Sequence, residues 1–256
     1  MNSYQEFIKA FKEKSGLDLK AYKQNQMERR IRTFLDTHKY DNFGAFLKAL
    51  DSDKLLYDKF FKHLTINVSQ FFRDPKQWEF IRENLIPNYL NTKKALKIWS
   101  AGCSGGQEPY SLAIMLLEHF PNIRFSILAV DIDDNVLQQA KLGFYRENDL
   151  ISTPPEIIKK YFTKTDKGYQ IKDVVKKQIT FKKQNLLTDK FETGFDLIAC
   201  RNVVIYFTEE IKTELYKKFY NSLLTGGILF TGSSEHLFGT NESGFKSVSS
   251  FFYQKY

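Results

Sequence analysis

From Leu96 onward the chain alternates short apolar runs with stretches of helical length, and nothing else in the sequence narrows the choice of fold as far. The runs are Leu-Lys-Ile-Trp-Ser from Leu96, Phe-Ser-Ile-Leu-Ala-Val from Phe125, Ile-Thr-Phe-Lys-Lys-Gln-Asn from Ile179, Phe-Asp-Leu-Ile-Ala-Cys from Phe195 and Gly-Gly-Ile-Leu-Phe-Thr-Gly from Gly226. Helices are predicted over 111–120, 135–142 and 209–224. Strand, helix, strand in this order is the pattern of an α/β, doubly wound and mostly parallel sheet. The closing Phe-Phe-Tyr-Gln-Lys-Tyr is predicted as an edge strand. The stretch 161–183, with Lys167-Gly168 as its turn, is predicted as a small antiparallel insertion.

The first seventy residues follow a different rule. Tyr4, Phe7, Ile8 and Phe11, then Met27, Ile31, Phe34 and Leu35, then Phe43, Phe46, Leu47 and Leu50 recur at three-to-four spacing, and no segment there alternates like a strand. Gly16 and Gly44 fall near expected helix ends. A small all-α domain over 1–70 is expected, followed by the α/β domain over 71–256. Asp74-Pro75 reads as an N-cap and first-turn proline, opening a helix that carries Trp78, Ile81 and Leu85 toward Pro87. At 42% hydrophobic and 27% charged, the 256 residues are balanced as in globular chains, which excludes a disordered or fibrous protein.

The turn Trp99-Ser-Ala-Gly-Cys-Ser-Gly-Gly-Gln-Glu-Pro109 lies between the first strand and its helix, where an open α/β sheet receives its ligand. Gly102, Gly105 and Gly106 permit a sharp turn, but they do not follow the G-x-G-x-x-G spacing of a dinucleotide site. Glu108, at the start of the helix, would repel a phosphate there. A ligand carrying positive charge fits better, and S-adenosylmethionine, with its sulfonium and ammonium groups, has that character. Glu108 also reads as a helix-start charge complementing the macrodipole, and the two roles are compatible. Asp131 ends the second strand at about the distance where ribose-binding acids occur. Asp133 and Asp134 read as caps of the following helix.

Three segments complete a wider pattern: Asn67-Val-Ser-Gln-Phe-Phe-Arg73, the turn Ser-Ala-Gly-Cys-Ser-Gly-Gly-Gln-Glu-Pro-Tyr-Ser, and Cys200-Arg-Asn-Val-Val-Ile-Tyr-Phe207. Together they resemble the CheR family of chemotaxis receptor glutamate methyltransferases, over essentially the whole chain. The resemblance implies a Rossmann-like, S-adenosylmethionine-dependent methyltransferase fold with a small N-terminal all-α domain and a small antiparallel β insertion. It implies methyl transfer from S-adenosyl-L-methionine to glutamate side chains of chemoreceptors, giving methyl esters and S-adenosyl-L-homocysteine. By the same resemblance Asn67, Ser69, Arg73, Glu108, Asp131, Asn185, Leu186, Arg201 and Asn202 contact the cofactor. Arg73 and Tyr206 stand nearest the transferring methyl as the catalytic pair. Ser69 occupies a position where threonine is common, which keeps the hydroxyl.

A glutamate carboxylate with an ordinary pKa of ~4.3 is ionised at neutral pH, so the reaction needs neither a strong base nor a metal. Arg73 could orient a carboxylate by a two-pronged hydrogen bond, the acceptor's or the cofactor's. Arg73 also reads as a surface arginine and Tyr206 as a packed aromatic. Cys103 and Cys200 read as small hydrophobes, Phe71 and Phe72 as core, and the four histidines show no ligand spacing.

The chain carries 38 basic against 30 acidic residues, a net charge of +8, and half of that excess falls in residues 1–70. Arg29, Arg30 and Arg32, with Lys20 and Lys23, are expected to steer toward the acidic methylation region of the receptor's cytoplasmic helices, or to form a solvated helix face. The aromatics there sit at core spacing rather than beside the basic residues, which argues against nucleic acid. The short turn of the insertion implies direct recognition of those helices rather than tethering to a receptor tail. Rival readings are a nucleic-acid methyltransferase, which the net charge fits, and a non-enzymatic adaptor that senses the cofactor. No apolar run reaches the ~18 residues of a membrane span, and the N-terminus does not read as a secretory signal. With two isolated cysteines, a monomer in the reducing cytoplasm is expected.

Overall fold

Three of the four N-terminal helices begin where a short polar side chain takes up N–H groups that the first turn leaves unpaired, and the second, which follows Lys23, has no such side-chain cap. The first helix, α1 (Tyr4–Ser15), opens with a capping box: Ser3 Oγ accepts from the Glu6 N–H and the Glu6 carboxylate accepts from the Ser3 N–H. It closes on Gly16, whose φ of +71° suits glycine. Next come α2 (Gln24–Thr37) and α3 (Phe43–Ser52), the latter capped by Asn42, and then α4 (Lys54–Thr65), capped by Asp53. The predicted stripes on α1, α2 and α3 are buried except Leu47, which is half-buried. The fourth helix adds Leu56, Phe60, Phe61 and Leu64. Phe7, Phe11, Phe34, Phe46 and Phe60 form the centre, with Phe46 and Phe60 edge-on at 4.8 Å.

The computed structural model describes residues 3–67, 69–90, 92–237 and 244–256. The chain divides into two units, Met1–Asn67 with Ile205–Thr213, and Val68–Val204 with Glu214–Tyr256. In the helical unit the later segment is tied in by a bridge between Tyr22 and Phe207 and by hydrogen bonds from Lys23 N–H to Tyr206 O and from Thr208 N–H to Ala21 O.

The second unit begins with α5 (Pro75–Phe80), which continues as a π-helix over Ile81–Leu90. Asp74 and Pro75 take the expected N-cap and first-turn positions, and the structure adds two details. The helix does not stop at Pro87; it passes through it, the wider winding accommodating a residue with no N–H to donate. Asp74 does not cap the helix with its side chain, because its carboxylate is bonded to Arg201 Nη2 at 2.9 Å.

The chain then runs through β1 (Ala95–Ala101), α6 (Gln107–His119), β2 (Arg124–Asp131), α7 (Asp134–Leu142), β3 (Phe144–Tyr145), α8 (Pro155–Tyr161), β4 (Phe162–Thr165), β5 (Gly168–Ile171), α9 (Asp173–Lys176), β6 (Ile179–Lys183) and β7 (Phe195–Cys200). It ends with α10 (Glu209–Ser222), β8 (Leu223–Thr231), β9 (Phe245–Ser249) and β10 (Phe252–Lys255). Seven strands form one sheet in the order β6-β2-β1-β7-β8-β10-β9, parallel from β6 to β8. Every residue of β7 is buried, as a parallel strand covered on both faces requires. The strand order reverses beside β1, which opens a crevice at its C-terminal end.

Two further boundaries differ from expectation. The last strand, β10, is not at the edge: it pairs with both β8 and β9, and β9 is the outer strand. Burial explains this, since Phe252 and Tyr253 are buried while β9 is largely polar. The antiparallel insertion is present as a sheet β3-β5-β4, but it recruits Phe144 and Tyr145 from upstream and ends at Ile171. Residues 179–183 join the main sheet beside β2 instead. Among the described residues, no helix is long and apolar enough to cross a membrane.

Candidate active site

The crevice is built on the loop that leaves β1. Gly102 and Cys103 both donate their N–H to Val130 O at 2.9 Å, which pins the loop to the end of β2. Gly102 has φ +84°, and a Cβ there would stand 2.5 Å from Val203 Cγ2, so only glycine lets the two loops meet. The predicted acid at the end of β2 completes the link. Asp131 Oδ2 accepts from the Ser104 N–H at 2.8 Å and Oδ1 from the Asp133 N–H at 3.0 Å. Burial pushes the Asp131 pKa up to about 6, and the backbone donors oppose that rise. Asp133 caps α7 as expected, accepting from the Asn135 N–H.

Glu108, in the first turn of α6, faces inward. Its Oε1 accepts from Ser100 Oγ at 2.7 Å and its Oε2 lies 3.6 Å from Arg201 Nη1. Burial raises its pKa, and Arg201 and Ser100 pull it back. The Arg201 side chain is 2% exposed and gathers several segments at once. Its Nη2 donates to Arg73 O at 3.1 Å, Asp74 Oδ2 at 2.9 Å and Gln77 Oε1 at 2.7 Å. The guanidinium also lies over the Phe230 ring at 4.6 Å. Its Nε is buried without a hydrogen-bond partner.

The structure therefore joins Glu108, Arg201 and the backbone of Arg73 in one network, and Asp131 to the glycine turn. Ser69 is half-buried just ahead of Phe71, which is fully buried and edge-on to Tyr145. Asn185 lies in the loop after β6, tethered beside Asp131 by the Gln184 N–H to Asp131 O bond, and Leu186 is buried next to it. Asn202 follows Arg201 at φ +58°. Asn67, which donates to Thr65 Oγ1, and Tyr206 are counted with the helical unit. Burial pushes the thiols of Cys103 and Cys200 well above their ordinary values, in keeping with a packing role. Among the described residues no group of His, Cys, Asp and Glu is disposed to hold a metal.

Sequence reasoning missed Gln77 and Glu235. Gln77 is legible only through its contact with Arg201, 124 residues away. Glu235 is an acid just beyond a strand end, the same signal that marked Asp131, and Gly232 stands three residues before it, so the signal was present in the sequence but was missed.

Two family models match. One, described as the CheR methyltransferase SAM binding domain, covers residues 67–253, and the other, the CheR methyltransferase all-alpha domain, covers residues 2–65. The chain belongs to the CheR methyltransferase family. It is 42% identical to a chemotaxis protein methyltransferase of Listeria innocua over 98% of this chain and 97% of that protein. The counterpart in Listeria monocytogenes is 41% identical over the same shares. A chemotaxis protein methyltransferase of Borreliella burgdorferi is 34% identical over 88% of this chain and 84% of that one.

The protein is accordingly an S-adenosylmethionine-dependent methyltransferase, and its site suits that cofactor. Asp131, buried at the end of β2, and Glu108, whose side chain is 12% exposed in the first turn of α6, would repel a pyrophosphate but accept ribose hydroxyls or face positive charge.

Proposed function

We propose that the enzyme methylates glutamate side chains on the acidic methylation helices of chemoreceptors, acting in the cytoplasm as a monomer, with the helical unit presenting the receptor helix. The observation that carries this reading lies in the helical unit. A cavity of about 330 Å³ is lined by Lys23, Arg29, Arg30, His63 and Tyr206 among others. Lys23, Arg29 and Arg30 form no ion pair among the described residues. Arg30 is half-buried, and burial lowers its pKa, so an anionic partner would relieve its loss of water. An acidic helix supplies such a partner.

The acceptor carboxylate is ionised at neutral pH and needs no base to remove a proton. S-adenosylmethionine, held in the site, would supply an electrophilic methyl group on a positively charged sulfur, the sulfur leaving with the bonding pair as neutral S-adenosylhomocysteine. The protein's task is alignment, which is worth ~7 to 11 kcal/mol for well-oriented reactants. Arg73, whose side chain makes no ion pair among the described residues, would orient a carboxylate, with Tyr206 as its catalytic partner. Asp131 and Glu108, with Asn67, Ser69, Asn185, Leu186, Arg201 and Asn202, would hold the cofactor.

Incubation with methyl-labelled cofactor and receptor fragments tests the reading. Label on receptor glutamates that mild base releases is the expected result. Base-stable label, or label only on nucleic acid, would overturn the assigned acceptor.

A further inference from the structure

Glu235 has no role in the reading above, yet it is 3% exposed and lies at the C-terminal end of the sheet. It sits in the turn after β8. That turn is closed by the Glu235 N–H to Gly232 O bond at 2.9 Å and by Thr231 Oγ1 donating to Glu235 O at 2.8 Å. The side chain turns back on the neighbouring loop. Oε2 accepts from the N–H groups of Asn202 and Gly232, both at 2.7 Å, and Oε1 from those of Val203 at 2.8 Å and Val204 at 2.9 Å.

A carboxylate offers about four lone-pair sites. Four backbone donors fill them, so Glu235 is ill placed to serve as a ligand itself and acts on what it holds. Three of those donors belong to the loop after β7, next to Arg201. Within that loop Asn202 takes φ +58°, a left-handed conformation that non-glycine residues adopt less readily than glycine. Val203 closes against Gly102, so the loop's position is read directly by the glycine turn. Gly232 completes the clamp: a Cβ there would stand 2.6 Å from Glu235 Oε2 and 2.9 Å from the Asn202 nitrogen.

We infer that Glu235 is a positioning residue that locks the 201–204 loop in its cofactor-receiving shape, so that cofactor affinity depends on it through Asn202 and Arg201. The inference rests on the reading that this loop contacts the cofactor. It assigns Glu235 no contact of its own.

Calorimetric titration of the full-length enzyme with S-adenosylhomocysteine, well below its unfolding temperature, tests it. Glu235→Gln keeps the shape but turns an NH2 toward two N–H donors, and the affinity should fall about tenfold or more. Gly232→Ala, which displaces the same carboxylate, should do likewise. At saturating cofactor the KM for receptor should stay unchanged in both. A purely structural role would lower the Tm and leave the folded fraction binding within twofold of wild type, and that result overturns the inference. Asn202→Ala separates the two layers. If it weakens binding while Glu235→Gln does not, the inference fails alone; if neither weakens binding, the loop's assignment to the cofactor fails as well. Failure of both clamp variants to fold would mark the carboxylate as a folding element and overturn the inference too.

Discussion

In the helical unit the centre is a set of phenylalanine rings meeting at tilted and edge-on angles, and among the described residues no charged side chain is buried there. The sheet unit buries Asp131, Asp133, Asp196, Arg201 and Glu235 within or beside its apolar core. The difference follows from what each has to hold. A ring cluster is stabilised by apolar burial and leaves its charges outside, free to meet another surface. A buried charge loses hydration and survives only when every lone pair and proton finds a partner, so the segments that supply partners are locked together. In the sheet unit those partners are mostly backbone N–H groups of loops at the C-terminal end of the strands. The contrast teaches that the sheet unit is preorganised at a cost in stability, while the helical unit keeps surface cations such as Lys23 and Arg29 that form no ion pair among the described residues.

The sharpest test removes the most heavily partnered buried charge. Arg201→Ala leaves Asp74, Gln77 and Glu108 without their shared donor. Breaking a buried pair in this way costs about 3 to 5 kcal/mol, and methyl transfer should be lost with it. Arg201→Lys keeps the charge but not the fork that serves several acceptors, and should recover only part of the stability. Chemical denaturation with a methyl-transfer assay measures both. Wild-type stability in the alanine variant would break the comparison, because the buried charges would then be incidental.

A second test uses the raised pKa of Asp131, about 6 in the folded protein against an ordinary 3.8. A carboxyl whose folded pKa lies above its unfolded one penalises the native state when ionised. The penalty is full above about 6 and disappears as the pH falls toward 3.8. Relative to Asp131→Asn, the ligand-free wild type should therefore gain stability on acidification through this window, roughly 3 kcal/mol in all. If Asp131 accepts the ribose hydroxyls as proposed, affinity for S-adenosylhomocysteine should move the opposite way, falling up to about tenfold per pH unit below 6 as the carboxylate is protonated. Denaturation and calorimetry across the window read the two slopes. Slopes of the same sign would remove Asp131 from the cofactor site.

What could be read from the sequence follows the same division. Short-range periodicity exposed the stripes of α1, α2 and α3, and the apolar run of β7 announced a strand covered on both faces. Asp131 was legible because a strand end and a glycine turn lie close to it in the chain. Asp74 and Pro75 take the N-cap and first-turn positions their local signal announces, but the Asp74 carboxylate goes to Arg201, 127 residues downstream, and not to the helix N–H groups. Pro87 likewise signals a helix end, but tertiary packing of Leu85, Ile86 and Leu90 carries the helix past it. Gln77 and Glu235 gain their meaning only from loops distant in sequence. Local chemistry was visible, and long-range satisfaction of buried polar groups was not.

The smallest expected effect tests the other half of the comparison. Arg29 is an exposed side chain on α2 without an ion pair among the described residues, so Arg29→Ala should change stability by no more than about 0.5 kcal/mol. Affinity for S-adenosylhomocysteine should not change, because the cofactor residues proposed in the sheet unit are untouched. If the surface charge of the helical unit steers an acidic receptor helix, kcat/KM for receptor fragments should fall a few-fold at low ionic strength, chiefly through a slower encounter. Salt discriminates steering from direct contact. The screening length shrinks from ~10 Å at 0.1 M to ~3 Å at 1 M, so the gap between variant and wild type should close as salt is raised. A gap that persists at high salt would mean that Arg29 makes a desolvated contact with the acceptor. No gap at any salt would mean that the basic cluster is only a solvated helix face, and the contrast between an outward-charged unit and an inward-charged one would have no consequence for recognition.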